Sequence, residues 1–347
     1  MNVIEIGTRL IGDGQKPFII AEMSGNHNQS LERALEIVEA AAKAGADAIK
    51  LQTYTADTMT IKGVLEIEED SLWKGYELHD LYKMAHTPWE WHKPIFDRAK
   101  ELGIMAFSSP FDATAVDFLE TLEVPIYKIA SFENTDHPLL KKVAQTGKPV
   151  IMSTGVATLA DLDEAVRVLR DNGCEKLILL KCTSTYPASP ETTNLATIPH
   201  LKSMFECIVG LSDHTMGVGA SVASVALGAS VIEKHFTLSR ADGGVDSAFS
   251  LEPAELKALV VESERAQLAL GQVQYGIQKA EKDSRKYKRS IYIAKDVKQG
   301  ELISMDNIQV IRPGFGLEPK YLDLVLNRAA GQDLKAGTPL TWDLLLK

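Results

Sequence analysis

The histidines, lysines and carboxylates of this chain that could do chemistry gather at the ends of apolar runs. His214 stands in GLSDHT and His235 in VIEKHF, each where such a run closes. Ends of neighbouring strands lie about 4.8 Å apart. Two neutral imidazoles placed there can share one first-row divalent ion and leave positions open for water or substrate. They can equally be hydrogen-bonded strand-end histidines. Asp213 and Glu233 sit beside them and are read as groups that orient the rings. His27, in NHN, is either a further ligand or an ordinary turn residue.

Four lysines also fall near run ends: Lys50, Lys128, Lys181 and Lys234. A lysine there is costly unless a partner neutralises it. The residues leave three readings open: a clamp on an anionic substrate, a Schiff-base nucleophile, or ion pairs with Glu22, Glu133 or Glu233. Hydroxyls accompany the lysines at Ser108, Ser109, Ser131, Ser153, Thr154, Ser184 and Ser212. The Ser153–Thr154–Gly155 turn can hold a phosphate through N–H and O–H donors, with Gly155 allowing close backbone approach. Lysines and hydroxyls converging on one mouth point to a phosphorylated or carboxylated ligand. Glu22 and Glu133 are candidates to act as a general base or to orient a water. Tyr186 and Pro187 read as a ring-and-turn wall. The aromatic-dense stretch from Trp73 to His92 is either core or a lid over the substrate.

A repeated unit must position these residues. Eight apolar runs end in polar clusters: AEMSGNHN, KLQTYT, FSSPF, YKIAS, MSTG, LKCTSTYP, GLSDHT and EKHF. Helix-patterned stretches lie between them. Buried strands alternating with amphipathic helices make βαβ units and a parallel sheet. Eight such units imply an α/β fold, a closed (β/α)8 TIM barrel over residues 1–270, whose active site sits at the C-terminal strand ends. Residues 271–287 read as a polar linker. Residues 288–347 read as a small strand-rich module, near the lower size limit for folding alone.

Composition narrows the class. At 347 residues, 45% hydrophobic and 24% charged, the chain is of ordinary globular make-up. A net charge of −10 argues against non-specific nucleic-acid binding. The charge is uneven, with 13 Lys+Arg against 9 Asp+Glu from Gly276 onward and 24 against 38 before it. No apolar run reaches the roughly 18 residues that would span a membrane. The opening MNVIEIGTRL shows no basic region followed by an apolar core, and the expected location is the cytoplasm. Cys174, Cys182 and Cys207 have neither metal nor disulfide spacing and read as packing residues.

Taken in order, FIIAEMSGNHN, AGADAIKLQTYT, FSSPF, YKIAS, STG, KCTSTYP, GLSDHTMG and VIEKHF resemble the sialic acid synthase family. RSIYIAKDVKQGE and IRPGFGL resemble that family's antifreeze-like (SAF, β-clip) domain. The resemblance implies condensation of phosphoenolpyruvate with an amino sugar to give a nonulosonic acid and phosphate. It implies a divalent metal, usually Mn²⁺, and a homodimer whose SAF module caps the partner's barrel. AEMSGNHN, DLYKMAHTPWEWH, KCTSTYP and SAFSL look most like the pseudaminic acid branch. The implied acceptor is 2,4-diacetamido-2,4,6-trideoxy-altrose, because Ser184 stands where neuraminate synthases carry Asn. Carried over by position, His214 and His235 match the metal ligands. Lys50, Lys128, Ser131, Ser153, Gly155 and Ser212 match the phosphoenolpyruvate pocket. Glu133 matches the carboxylate near the reacting centre and Glu22 one near the acceptor. Tyr186, Asp246 and Ser184 match sugar-site positions, and Arg312 matches an arginine inserted into the neighbour's site. The same chemistry on N-acetylneuraminate or legionaminate precursors is the alternative, with a Schiff-base aldolase or a carbohydrate-binding protein further off.

Overall fold

The computed structural model describes residues 3–67 and 72–346. They form two compact units, residues 1–271 and 272–347. The first begins with an antiparallel hairpin, β1 (Val3–Ile6) and β2 (Arg9–Gly12). Eight parallel strands follow: β3 (Phe18–Glu22), β4 (Ala48–Thr53), β5 (Met105–Pro110), β6 (Tyr127–Ile129), β7 (Val150–Ser153), β8 (Leu177–Cys182), β9 (Ile208–Ser212) and β10 (Val231–His235). Each pairs with the next, and β10 closes on β3 through His235 opposite Glu22. All eight apolar runs read from the sequence are these strands.

Strand residues alternate between two cores because successive side chains leave opposite faces. Phe18, Ile20, Ala48, Phe107, Ile126, Ile151, Ile178, Leu180, Ile208 and Val231 fill the barrel interior, sealed below by Ile6 and Ile11 of the hairpin. Their neighbours, such as Ile19, Ile49, Val150 and Leu179, pack outward against helices. Gly210 occupies a position where an added Cβ would collide with the Val231 backbone oxygen and meet Leu180 Cδ2 at 2.6 Å, so the missing side chain is what lets β9 pack between β8 and β10.

Local chemistry fixes the helix starts that follow the strands. Ser30 accepts from Arg33 N ahead of Leu31–Ala44, Asp112 caps Ala113–Thr121, and Thr158 forms a capping box with Asp161 ahead of Leu159–Asp171. The connection between β4 and β5 is longer and holds a separate helix, Leu78–Ala85, before Trp89–Glu101. The aromatic stretch read as one piece is therefore divided between two helices.

The second unit has its own core of Ile291, Ile293, Val297, Ile303, Ile308, Val325, Ala330, Leu334, Leu340 and Leu345. Its regular strands are short, β11 (Ser290–Ile293) paired with β12 (Ile308–Ile311). Residues 289–303 form a strand only near their start, and isolated bridges such as Val297–Leu334 tie down the remainder. The polar stretch ahead of the module is not without structure, because Lys279–Tyr287 forms a 3-10 helix.

Candidate active site

The upper barrel interior is charged. Lys50 of β4 and Lys128 of β6 point inward and are fully buried, as are Glu22 of β3 and Glu233 of β10. Lys50 Nζ lies 2.6 Å from Glu22 Oε2 and 3.6 Å from Glu233 Oε1. Lys128 Nζ lies 3.7 Å from the same Glu233 oxygen. Gln52 Nε2 donates to Glu22 Oε1 at 3.1 Å. Burial works against every charge here. It raises the Glu22 carboxyl to about 7 and lowers Lys128. Burial also opposes the Glu233 charge, yet Lys128 and Lys50 hold that carboxyl below the usual carboxylate range. The two lysines thus share Glu233, and Lys50 pairs with Glu22 as well.

Hydroxyls line one side of that floor. Lys128 Nζ donates to Ser153 Oγ at 2.7 Å, and Lys50 Nζ to Ser109 Oγ at 3.3 Å. Gly155 N donates to Ser131 Oγ at 3.2 Å, and the Gly155 carbonyl accepts from Asn134 Nδ2 at 2.9 Å. A Cβ on Gly155 would collide with Ser184 Oγ and come 2.7 Å from Ser131 Oγ. The missing side chain therefore brings Ser131, Gly155 and Ser184 together. Cys182 faces inward beside them, 3.7 Å from Ser184 Oγ, and Ser212 is its register partner on β9. Burial opposes the Cys182 thiolate, but the His214 imidazole brings the thiol down to about 6. Glu133 closes a one-turn 3-10 helix, Ser131–Glu133, and burial pushes its carboxyl up to about 7.

The other side is aromatic. The His214 and His235 rings are 5.4 Å apart. His214 Nδ1 bonds to the Thr183 carbonyl at 2.9 Å, which leaves Nε2 with its lone pair. His235 Nδ1 is buried with no hydrogen bond among the described residues, 4.0 Å from an Asp246 oxygen. Burial keeps the His235 pKa well below its usual value. Tyr186 lies against His214 at 4.5 Å and against Phe249 at 5.2 Å, and Asp246 is anchored by the Ser24 hydroxyl. Burial opposes charge on His214 as well, yet Cys182 and the Thr183 carbonyl raise its pKa. In their unprotonated form the two imidazoles fit a divalent ion in type. Among the described residues no three His, Cys, Asp or Glu gather into a set that could hold a metal by themselves.

Comparison with known proteins accords with this geometry. Residues 37–275 match the NeuB family and residues 288–346 the SAF domain. The chain belongs to the NeuB family. It is 45% identical to the pseudaminic acid synthase of Campylobacter jejuni over 94% of this chain and 96% of that one. It is 38% identical to the N,N'-diacetyllegionaminic acid synthase of the same organism, over 92% and 98%. The crystal structure of N-acetylneuraminic acid synthetase from Leptospira borgpetersenii superposes with a TM-score of 0.74 at 34% identity, covering 82% of this chain and 96% of that one.

In this NeuB-family barrel, strand parity sorts the sequence candidates. Lys234 and Asp213 point outward, not into the mouth. Lys234 Nζ meets Asp213 Oδ2 at 3.0 Å, and Asp213 also accepts from Thr215 N and Ser221 Oγ. Asp213 thus bonds its own loop and no histidine. Lys181 also turns away and donates to the Cys182 carbonyl at 2.7 Å. Ser108 faces outward too, bonded to Thr53, which meets His92. His27 is a satisfied core residue, with Nε2 on Thr87 and Nδ1 accepting from Gln29 N. Glu233 is no orienter of rings but the carboxylate shared by both lysines. Its sequence signal was its position two residues before His235, hence on the same strand face. Sequence reasoning missed Gln52, whose contact crosses between neighbouring strands, and Asn134, Ser24 and Phe249, whose contacts cross from one βα loop to another. Arg312 lies in the SAF unit, exposed just after β12.

Proposed function

We propose that this chain is a pseudaminic acid synthase, condensing phosphoenolpyruvate with 2,4-diacetamido-2,4,6-trideoxy-altrose and water to give pseudaminic acid and phosphate. One observation carries the reading: two buried inward lysines and an arc of hydroxyls face a pair of histidines across one barrel mouth. The identity to the pseudaminic relative, higher than to the legionaminic one, favours this acceptor over its sister sugars.

Lys50 and Lys128, with Ser131, Ser153, Ser212 and the Gly155 N–H, hold the phosphate and carboxylate of phosphoenolpyruvate. Tyr186, Asp246 and Ser184 hold the sugar. Fixing both reactants aligns C3 of phosphoenolpyruvate with the sugar aldehyde carbon. The new C–C bond leaves C2 cationic. Water adds at C2, one proton passing through Glu133 to the alkoxide left on the former aldehyde oxygen. The C2–O bond to phosphate then breaks as the C2 hydroxyl becomes a carbonyl and its proton leaves with phosphate. Glu22 sits across Lys50 from Glu233 and steadies the ammonium that faces the anion. His214 and His235 would hold a divalent metal, most simply Mn²⁺, which when bound supplies Lewis-acid polarisation of the aldehyde. Arg312 of one chain completes the site of a second in a homodimer, as the SAF assignment suggests.

The decisive assay measures phosphate released from phosphoenolpyruvate as a function of added sugar. Release should require the diacetamido sugar, cease on chelation and return with Mn²⁺. Trapping of Lys128 by borohydride and pyruvate, with no sugar-dependent phosphate, would instead identify a Schiff-base aldolase. Full turnover by chelated, metal-free enzyme would remove His214 and His235 as ligands.

A further inference from the structure

Trp73 lies in the long connection between β4 and β5, and no role in the reaction above has been given to it. Its indole Nε1–H donates to the Val245 carbonyl at 2.9 Å, and its ring meets Tyr186 edge-on at 5.7 Å. Val245 precedes Asp246, and Tyr186 leans on His214. Trp73 thus bridges the two sugar-side residues and stands one ring away from the histidine pair. It also walls a cavity of about 450 Å³, together with Tyr76, Leu81, Met84 and Ala248.

Among the side chains that line that cavity, only Asn28, Gln29, the Tyr76 hydroxyl and the Trp73 N–H are polar. Gln29 Nε2 spends both protons, on the Met84 and His86 carbonyls at 2.8 and 2.7 Å. Asn28 Nδ2 donates to the Gly243 carbonyl at 3.2 Å. A hydroxylated sugar tail entering here would give up water for few free donors, which is costly. A methyl-terminated end loses nothing by leaving water for an apolar wall.

Resting on the synthase reading, we propose that this cavity receives the end of the acceptor remote from its aldehyde. Trp73 is then a specificity-determining residue for the deoxy end of that sugar. Its indole N–H fixes the wall to the Val245 loop while its ring covers the C6 methyl. A 6-hydroxyl at that place meets the ring without a partner.

The test compares 2,4-diacetamido-2,4,6-trideoxy-altrose with its 6-hydroxy counterpart, 2,4-diacetamido-2,4-dideoxy-altrose, by phosphate release at saturating phosphoenolpyruvate. Trp73→Ala should raise the KM for the deoxy sugar about thirtyfold, a size expected for lost apolar discrimination. The 6-hydroxy sugar should change by less than about threefold, and the KM for phosphoenolpyruvate should hold. Trp73→Phe should retain most of the preference. Ala248 is exposed, so Ala248→Leu narrows the cavity with little risk to folding and should raise the KM for both sugars. Equal losses on both sugars in Trp73→Ala, or an unchanged KM for both sugars in Ala248→Leu, overturn the inference. Wild-type enzyme using both sugars equally well overturns it while leaving the synthase reading intact. Wild-type enzyme releasing phosphate with neither sugar refutes the synthase reading, and this inference falls with it.

Discussion

Buried ionisable groups give the site its sharpest single-residue signature. The carboxyl of Glu133 is raised from 4.5 to about 7 by burial, against the pull of Lys128 and with some help from Asp136. An acid whose folded pKa is raised prefers its proton in the folded state. Its contribution to stability is therefore complete below about 4.5 and is lost as pH climbs through about 7. Glu133→Gln, which stays neutral, should melt higher than wild type at pH 8 and nearly with it at pH 5, as a calorimetric pH series would read. A water-accepting carboxylate must be ionised, so kcat/KM of the wild type should rise through pH 7. Glu133→Gln should lose about a hundredfold in kcat together with that limb. If the limb persists in the variant, it belongs to Glu22, whose carboxyl titrates in the same range.

The short segments after the strands decide how close the site groups come. Gly155 has Ser131 and Ser184 pressed against the place a Cβ would fill. Gly155→Ala must push those hydroxyls apart, at a cost of about 1–3 kcal/mol for an overpacked site. The phosphoenolpyruvate KM should rise about tenfold, since one hydroxyl contact is worth roughly 1 kcal/mol or more. The sugar KM should rise too, because Ser184 is one of the hydroxyls displaced. Ser184→Ala in the same chain makes room and should recover part of the phosphoenolpyruvate loss. A Gly155→Ala enzyme with wild-type phosphoenolpyruvate kinetics would show that this turn does not touch the anion.

At the scale of the molecule, the SAF unit is compact around its own core but carries only Arg312 among the assigned site residues. The stretch before it can reach: its 3-10 helix of 9 residues, Lys279–Tyr287, alone runs about 18 Å at about 2.0 Å per residue. Under the shared-site reading, inactive His235→Ala chains mixed with inactive Arg312→Ala chains should regain activity, because a heterodimer contains one site with both residues intact. Subunit exchange without recovered activity, or full activity of Arg312→Ala alone, would make Arg312 a surface residue.

The sequence by itself determined the barrel. Eight apolar runs bounded by polar clusters admit few other arrangements, because each strand must be buried on both faces and each helix on one. It also determined that Lys50, Lys128, Ser153, His214 and His235 stand at the catalytic end. It could not separate Lys50 and Lys128 from Lys181 and Lys234, which look alike in a linear reading. That separation depends on which face each strand turns inward, and closure of β10 on β3 sets those faces for the whole ring. Nor could it find the partners of Glu233 and Asp246, or the seating of Trp73 between Val245 and Tyr186. Those contacts join residues far apart in the chain, and only the closed tertiary structure brings their loops to one mouth.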